Sequence, residues 1–254
     1  MSQEILTPSE YVSHHLTHLQ IGQGFWAINL DSVIMTLFVC AFLLIGMFAM
    51  NKTAKLVPGV LQNIYELIVT SVIKQVRDVT PHHLDIVGPF AFSIFMVIMC
   101  MNFLDLLPVD TGTIICKIFK IESFKIVPTT DINVTLGLAF FTLFFINLSI
   151  IKNSGITGFI KGILAHPYGL KLFIANIIFR MIEEFSRVFS LAMRLFGNIF
   201  AGEVIFILLA TAPLIIQFPS VILWAIFHIL IVVLQAFIFM MLSVVNFGLA
   251  LEHE

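Results

Sequence analysis

Arg194 and Glu203 stand nine positions apart in SLAMRLFGNIFAGEVIF, residues 190–206, a stretch that otherwise has the composition of membrane-buried helix. An arginine at the centre of a bilayer-spanning helix costs about 2.5–3.5 kcal/mol on insertion scales, so an intramembrane charge points to function unless it snorkels to an interface. Arg180 and Arg187 have that second option, whereas Arg194 is followed by mostly apolar sequence out to Ala212. A guanidinium does not deprotonate in a protein, so Arg194 is a fixed positive charge and not a proton carrier. Glu203 can take up and release a proton; a structural hydrogen bond from a permanently protonated carboxyl is the plainer alternative.

Helical spacing sorts the other polar residues. At about 100° per residue, Glu183 and Asn198 lie within about 40° of Arg194, and Glu203 falls half a turn round. Gly197 and Ala201 form a small-xxx-small pair and Gly202 lies along the same side, open to another helix or to packing inside the chain. His228 and Gln235, seven residues apart, share a face in a run from Val204 to Leu251 that holds no Asp, Glu, Lys or Arg. His228 is either a relay beside Glu203 or a satisfied core histidine, and Gln235 is a candidate to position Arg194. Asn102 and Asp105 are either polar lining or helix-end solvation. Thr129 and Asp131, in VPTTDINVT, are either lining or the N-cap of the next helix. Glu183 and Glu184 either line an inner vestibule or pair with Arg180 and Arg187 as helical neighbours.

These residues need helices to hold them. Of the 254 residues, 59% are hydrophobic and 11% charged, and the mean hydropathy is +1.07. This is an all-α integral membrane protein with about five crossings, since each needs about 20 apolar residues. The expected membrane helices are 32–50, 86–107, 132–151, 170–212 and 220–251, within one transmembrane domain, and residues 1–31 form a polar head. The segment GVLQNIYELIVTSVIKQV places Val60, Ile64, Leu67 and Ile68 at helical spacing, as in a helix lying on the membrane surface. Residues 170–212 contain no proline and would run about 64 Å, and residues 220–251 about 48 Å, against a core of roughly 30 Å. Such helices must tilt strongly, and Pro213 and Pro219 bracket the turn of their hairpin.

Lysine and arginine distribution sets the sidedness. The head has none, while 51–85 carries Lys52, Lys55, Lys74 and Arg77, so the head is periplasmic and this segment cytoplasmic. Alternation then puts the C-terminus inside. Lys117, Lys120 and Lys125 run against the rule in the outer loop 108–131, and Lys152, Lys161 and Lys171 agree with it in the next inner one. The N-terminus has neither a basic flank nor an apolar core, so the first apolar run is a retained span and not a cleaved signal.

Other chemistries lack their residues. There is no basic run for nucleic acid and no phosphate-binding or nucleophile-elbow motif. His14, His15 and His18 carry no zinc pattern, so neither a metal nor a cofactor is expected. Cys40 and Cys100 read as packing residues, and Cys116 as a loop residue. The chain has no internal repeat of the inverted-transporter kind.

The segments SLAMRLFGNIFAGEVIF and WAIFHILIVVLQAFIFMMLSVV, with MNFLDLLPVD, VPTTDINVTL and the head TPSEYVSHHLTHLQ, resemble the a subunit of the membrane sector of rotary F-type ATP synthases, in its proteobacterial form. The resemblance covers nearly the whole chain. It implies a stator in the bacterial inner membrane, beside a ring of c subunits and joined to the b-subunit peripheral stalk and the remaining subunits. Two offset half-channels would pass protons to and from a ring carboxylate, with no catalysis by the chain alone. On this resemblance Arg194 matches the family's essential arginine. Asn198, Glu203, His228 and Gln235 match channel positions, Asn102, Asp105 and Thr129 the outer lining, and Glu183, with Glu184 beside it, an acidic inner position. Val188 departs from the proline that often follows the position of Arg187, which puts a local kink in doubt. The competing readings are a self-contained transporter or channel, which would need a complete pathway in one chain, and a structural scaffold, which would not need so many intramembrane polar groups.

Overall fold

The computed structural model describes residues 20–21, 28–106, 126–165 and 168–252. Six α-helices dominate the described chain: α1 (Leu30–Thr53), α2 (Val60–Val79), α3 (Leu84–Phe103), α4 (Ile132–Ala165), α5 (Phe173–Ala210) and α6 (Leu214–Glu252). Ahead of them, Gln20–Ile21 and Ile28–Asn29 form a short antiparallel pair, with Gln20 opposite Asn29. Five helices, all but α2, are long and apolar enough to cross a membrane. In α1 this character goes all the way round: Leu37, Phe38, Leu44, Ile45 and Phe48 are exposed, and Val39 is its buried apolar residue. A helix apolar on every side and hardly covered by protein is suited to lipid.

The sequence locates the helices better than their ends. The third span is expected over 132–151; helix α4 runs from Ile132 to Ala165 with a break at Gly155, which takes φ 73° and ψ 169°. That backbone conformation is one glycine adopts readily, so the chain bends there and resumes helix instead of leaving it. The turn before the last helix is shorter than the two prolines suggest. Ile216 and Gln217 both donate to the Pro213 carbonyl at 2.9 Å, and Pro219 lies inside α6. Near the N-terminus of a helix a proline forfeits a single hydrogen bond, and the following residues propagate the helix. In α2 the expected apolar face is present but divided: Val60, Leu61, Ile64 and Leu67 are exposed, whereas Val72 and Val76 are buried. His14, His15, His18, Cys116, Lys117, Lys120 and Lys125 lie outside the described residues.

The described chain divides into two compact units. Unit 1 is built from Met1–Met47, Met96–Val134 and Leu195–Ala236, and unit 2 from Phe48–Phe95, Thr135–Arg194 and Phe237–Glu254. The centre of unit 2 is aromatic: Phe90 of α3 stacks on Phe145 of α4 at 4.4 Å between centroids, with Phe247 of α6 tilted against both. Its buried hydroxyls are satisfied along their own helices, as Thr142 donates to Leu138, Ser149 to Phe145 and Ser243 to Phe239. Where lipid is as apolar as the protein, such close packing, not escape from water, holds helices together.

The tightest approach in unit 2 is between α6 and the end of α2. A Cβ built on Gly248 would stand 2.7 Å from Thr80 Cγ2, while one on Gly137 meets nothing within 4 Å. Gly248→Val therefore forces this contact apart at about 1–3 kcal/mol. It is expected to lower the temperature at which the detergent-solubilised protein loses its helical circular dichroism, and Gly137→Ala is expected to leave that temperature in place.

Candidate functional site

Helix α5 has two unlike sides around Arg194. Val188, Leu191, Ala192, Leu195 and Ile199 are buried at three- and four-residue spacing. Arg194, Asn198 and Ala201 are exposed together on one flank of that buried stripe, and Phe185 and Phe189 are exposed on the opposite flank. Arg194 makes no hydrogen bond or ion pair among the described residues. Its guanidinium thus lies on a part of a membrane-type helix that the described chain leaves uncovered. Asn198, one turn on, is held from α6: its Nδ2 donates to Gln235 Oε1 at 2.7 Å. Gln235 is buried, and its Nε2 has no partner among the described residues. The sequence reading offered Gln235 to Arg194; the structure commits its carbonyl to Asn198.

Unit 1 gathers most of the buried polar chemistry. His228 is fully buried on α6, with Nε2 2.5 Å from Oδ2 of Asp105. Asp105 reaches it from the 3₁₀ turn Leu104–Leu106 at the end of α3. The ring is fixed by Phe206 edge-on at 5.3 Å and by Trp224 at 6.2 Å. Beneath it lies Gly202, where a Cβ would stand 2.2 Å from His228 Cε1. So α6 itself occupies the small-residue position at Gly202, while the sites of Gly197 and Ala201 stay open. Glu203 comes next on α5, half-buried, with its Oε2 shielded from solvent. His228 Nδ1 is buried and has no partner among the described residues, which leaves one ring nitrogen on a carboxylate and the other available.

Asn102 and Thr129 are fully buried as well. Both amide atoms of Asn102, and Thr129 Oγ1, lack hydrogen bonds among the described residues. Burial without partners costs roughly 1–3 kcal/mol per group, so these side chains are expensive as mere filling. Asp131, by contrast, has structural work as the N-cap of α4. Its Oδ1 accepts from the Asn133 amide at 2.9 Å and its Oδ2 from Asn29 Nδ2 at 2.8 Å. Glu183 and Glu184 are taken up by helical neighbours. Arg187 pairs with Glu183, and Arg180 donates to Glu184 at 2.7 Å.

The profile of the family described as ATP synthase A chain matches residues 32–247, which include every candidate above. The chain belongs to the ATP synthase A chain family. It is similar to ATP synthase subunit a of Alkalilimnicola ehrlichii, with 42% identity over 98% of each chain. It is also similar to ATP synthase subunit a 2 of Vibrio campbellii, with 40% identity over 99% of this chain and 100% of the relative. With ATP synthase subunit a of Coxiella burnetii the identity is 39%, over 100% and 99%. A member of the A chain family is a proton-channel subunit of the ATP synthase complex, not an enzyme by itself.

Two polar residues of this A chain escaped the sequence reading, Asn147 in FFINLSII and Asn246 in SVVNFGLAL. Both were visible as amides in apolar runs, and Asn246, eleven residues beyond Gln235, falls within about 20° of its face. The closeness of Gly202 to His228 generates a prediction. Gly202→Val must displace the imidazole from Asp105, and it is expected to cut ATP-driven acidification of inverted vesicles at least several-fold with the complex still assembled. Unchanged pumping would mean that the position of His228 is immaterial.

Proposed function

We propose that the chain is the stator against which a ring of c subunits turns, with Arg194 as the fixed charge between two half-channels. The observation that carries this reading is the placement of Arg194 on an uncovered side of α5, without a partner among the described residues. Insertion of that charge costs about 2.5–3.5 kcal/mol. An acid on a neighbouring protein at 4 Å returns about 4 kcal/mol at an effective dielectric constant of 20, enough to offset it. A carboxylate carried past on a ring fits that requirement. Beside the guanidinium the carboxylate is favoured in its ionised form, so a proton must leave before the site passes. The same permanent charge opposes a hydrated proton slipping directly from one half-channel to the other.

The proton inlet in this reading runs through the polar interior of unit 1, from the periplasmic side. Asn102 and Thr129 offer polar atoms that have no partner among the described residues, Asp105 and His228 lie 2.5 Å apart, and Glu203 is the carboxyl nearest the ring. One imidazole nitrogen faces Asp105 and the other has no partner among the described residues, the arrangement needed to accept a proton at one side and release it at the other. Asn198, held by Gln235, keeps the Arg194 stripe polar. Glu183 and Glu184, with their arginines, belong to the cytoplasmic outlet. The lysine and arginine distribution supports a periplasmic N-terminus and a cytoplasmic C-terminus. The lengths of α5 and α6, 38 and 39 residues, support two tilted helices laid against the ring, with the b stalk holding the stator still. Each proton delivers about 2.3 kcal/mol per 100 mV, so several must pass for each ATP.

In inverted vesicles carrying the whole complex, Arg194→Ala is expected to abolish ATP-driven acidification while leaving assembly intact. Glu203→Gln is expected to slow it several-fold. Wild-type pumping by the Arg194 variant would remove the role assigned here.

A further inference from the structure

The corner between α4 and α5, in unit 2, is pinned from within. Near its start Gly155 breaks α4 with φ 73°, and a Cβ on Gly158 would stand 2.9 Å from Ser154 Cβ, so the bend is tight. Near its end Gly169 takes φ 81°, again a conformation that suits glycine. Asn176, fully buried near the start of α5, ties the corner together. Its Nδ2 donates to the carbonyls of Leu164 at 2.7 Å and Gly169 at 3.0 Å, and its Oδ1 accepts from the Tyr168 amide at 3.0 Å.

The surface that this corner presents is basic and apolar at once. Lys152, Lys161 and Lys171 are exposed, and none forms an ion pair among the described residues. Residues 152–172 hold no Asp or Glu, whereas the segment 51–85 sets Glu66, Asp78 and Asp85 among its lysines and arginine. Sidedness depends on lysine and arginine and is little affected by acids, so membrane topology does not demand their absence here. Ile156 and Ile160, one turn apart beyond the break, are exposed beside the lysines. Tyr168 is exposed too and rests on Phe179 at 5.6 Å between ring centroids. Tyrosine favours the headgroup level of a bilayer, and lysines flanking it can reach the phosphates there.

We propose that the α4–α5 corner binds anionic phospholipid of the cytoplasmic leaflet, with the three lysines at its phosphates and the two isoleucines in the apolar layer just beneath. The proposal goes beyond the stator reading and takes from it only the cytoplasmic placement of this corner. An acid-free basic rim next to bare isoleucines complements a surface that is anionic at its face and apolar below; the polar face of a soluble subunit would leave the isoleucines uncovered. Each lysine near such a surface is worth about a fivefold preference for it. Because Asn176 joins the corner to α5, lipid bound here sets the depth at which α5 enters the membrane.

The test uses the whole complex in phosphatidylcholine nanodiscs that carry a small fraction of a photo-activatable lipid, either phosphatidylglycerol or phosphatidylcholine, with the same diazirine near the headgroup. Labelled peptides are mapped by mass spectrometry. Phosphatidylglycerol is expected to label residues 152–172 at least about fivefold more than phosphatidylcholine, while peptides of α1 around Leu37 and Phe48 take both equally. Lys152→Gln, Lys161→Gln and Lys171→Gln together are expected to bring the ratio at the corner towards one. Raising salt from about 0.02 M to about 0.5 M should do the same in the wild type, and it decides the matter if the triple variant does not assemble. A wild-type ratio near one, a ratio indifferent to the lysines or to salt, or a corner labelled by neither lipid because another subunit covers it would each overturn the proposal.

Discussion

A permanent positive charge in a low-dielectric slab needs an opposite charge, and Arg194 finds none among the described residues. Much of the arrangement of α5 follows from that one requirement. One side of the helix is closed by apolar packing of its own chain, through Leu191, Leu195 and Ile199. The other side keeps Arg194, Asn198 and Ala201 uncovered. The small Gly197 and Ala201 make room for a neighbour, and the Gln235 bond fixes Asn198 without enclosing the arginine. An arginine kept only for packing would be better placed near a helix end, where it can reach water, as Arg180 and Arg187 can.

The two units meet the demands of the membrane differently. In unit 2 the buried hydroxyls fold back on carbonyls of their own helices and phenylalanines fill the centre. In unit 1, amides and hydroxyls with no partners among the described residues are buried with the His228–Asp105 pair. Groups of this kind weaken a purely structural core and suit a path that exchanges protons. Gly202 shows how closely the His228 ring is fitted: its lack of a side chain is what admits the imidazole.

Composition and helical period made the membrane class and the helices legible in the sequence, because apolar runs of bilayer length have few other uses. Arg194, Glu203 and His228 stood out for the same reason, as costly groups in such runs. The partners did not. His228 was read with Glu203, its neighbour by helix pairing, and the contact to Asp105 depends on where a 3₁₀ turn ends, which no periodicity encodes. The two readings of Glu183 and Glu184 were both visible as spacing, and the ion pairs with Arg187 and Arg180 required side-chain geometry. Pro219 was read as one edge of a turn because proline is a punctuation residue, yet a helix start can absorb it. Asn147 and Asn246 looked like isolated amides until three helices brought them to one recess.

The central claim is that the Arg194 side of α5 is covered by another protein bearing an acid, not by lipid. A photo-activatable benzoylphenylalanine at Ala201, seven residues beyond Arg194 and on the same side, tests it in intact membranes. The account predicts an adduct with the small subunit of the ring, with peptide mapping placing the link close to that subunit's membrane carboxylate. Adducts with lipid alone, from assembled complex, would contradict it.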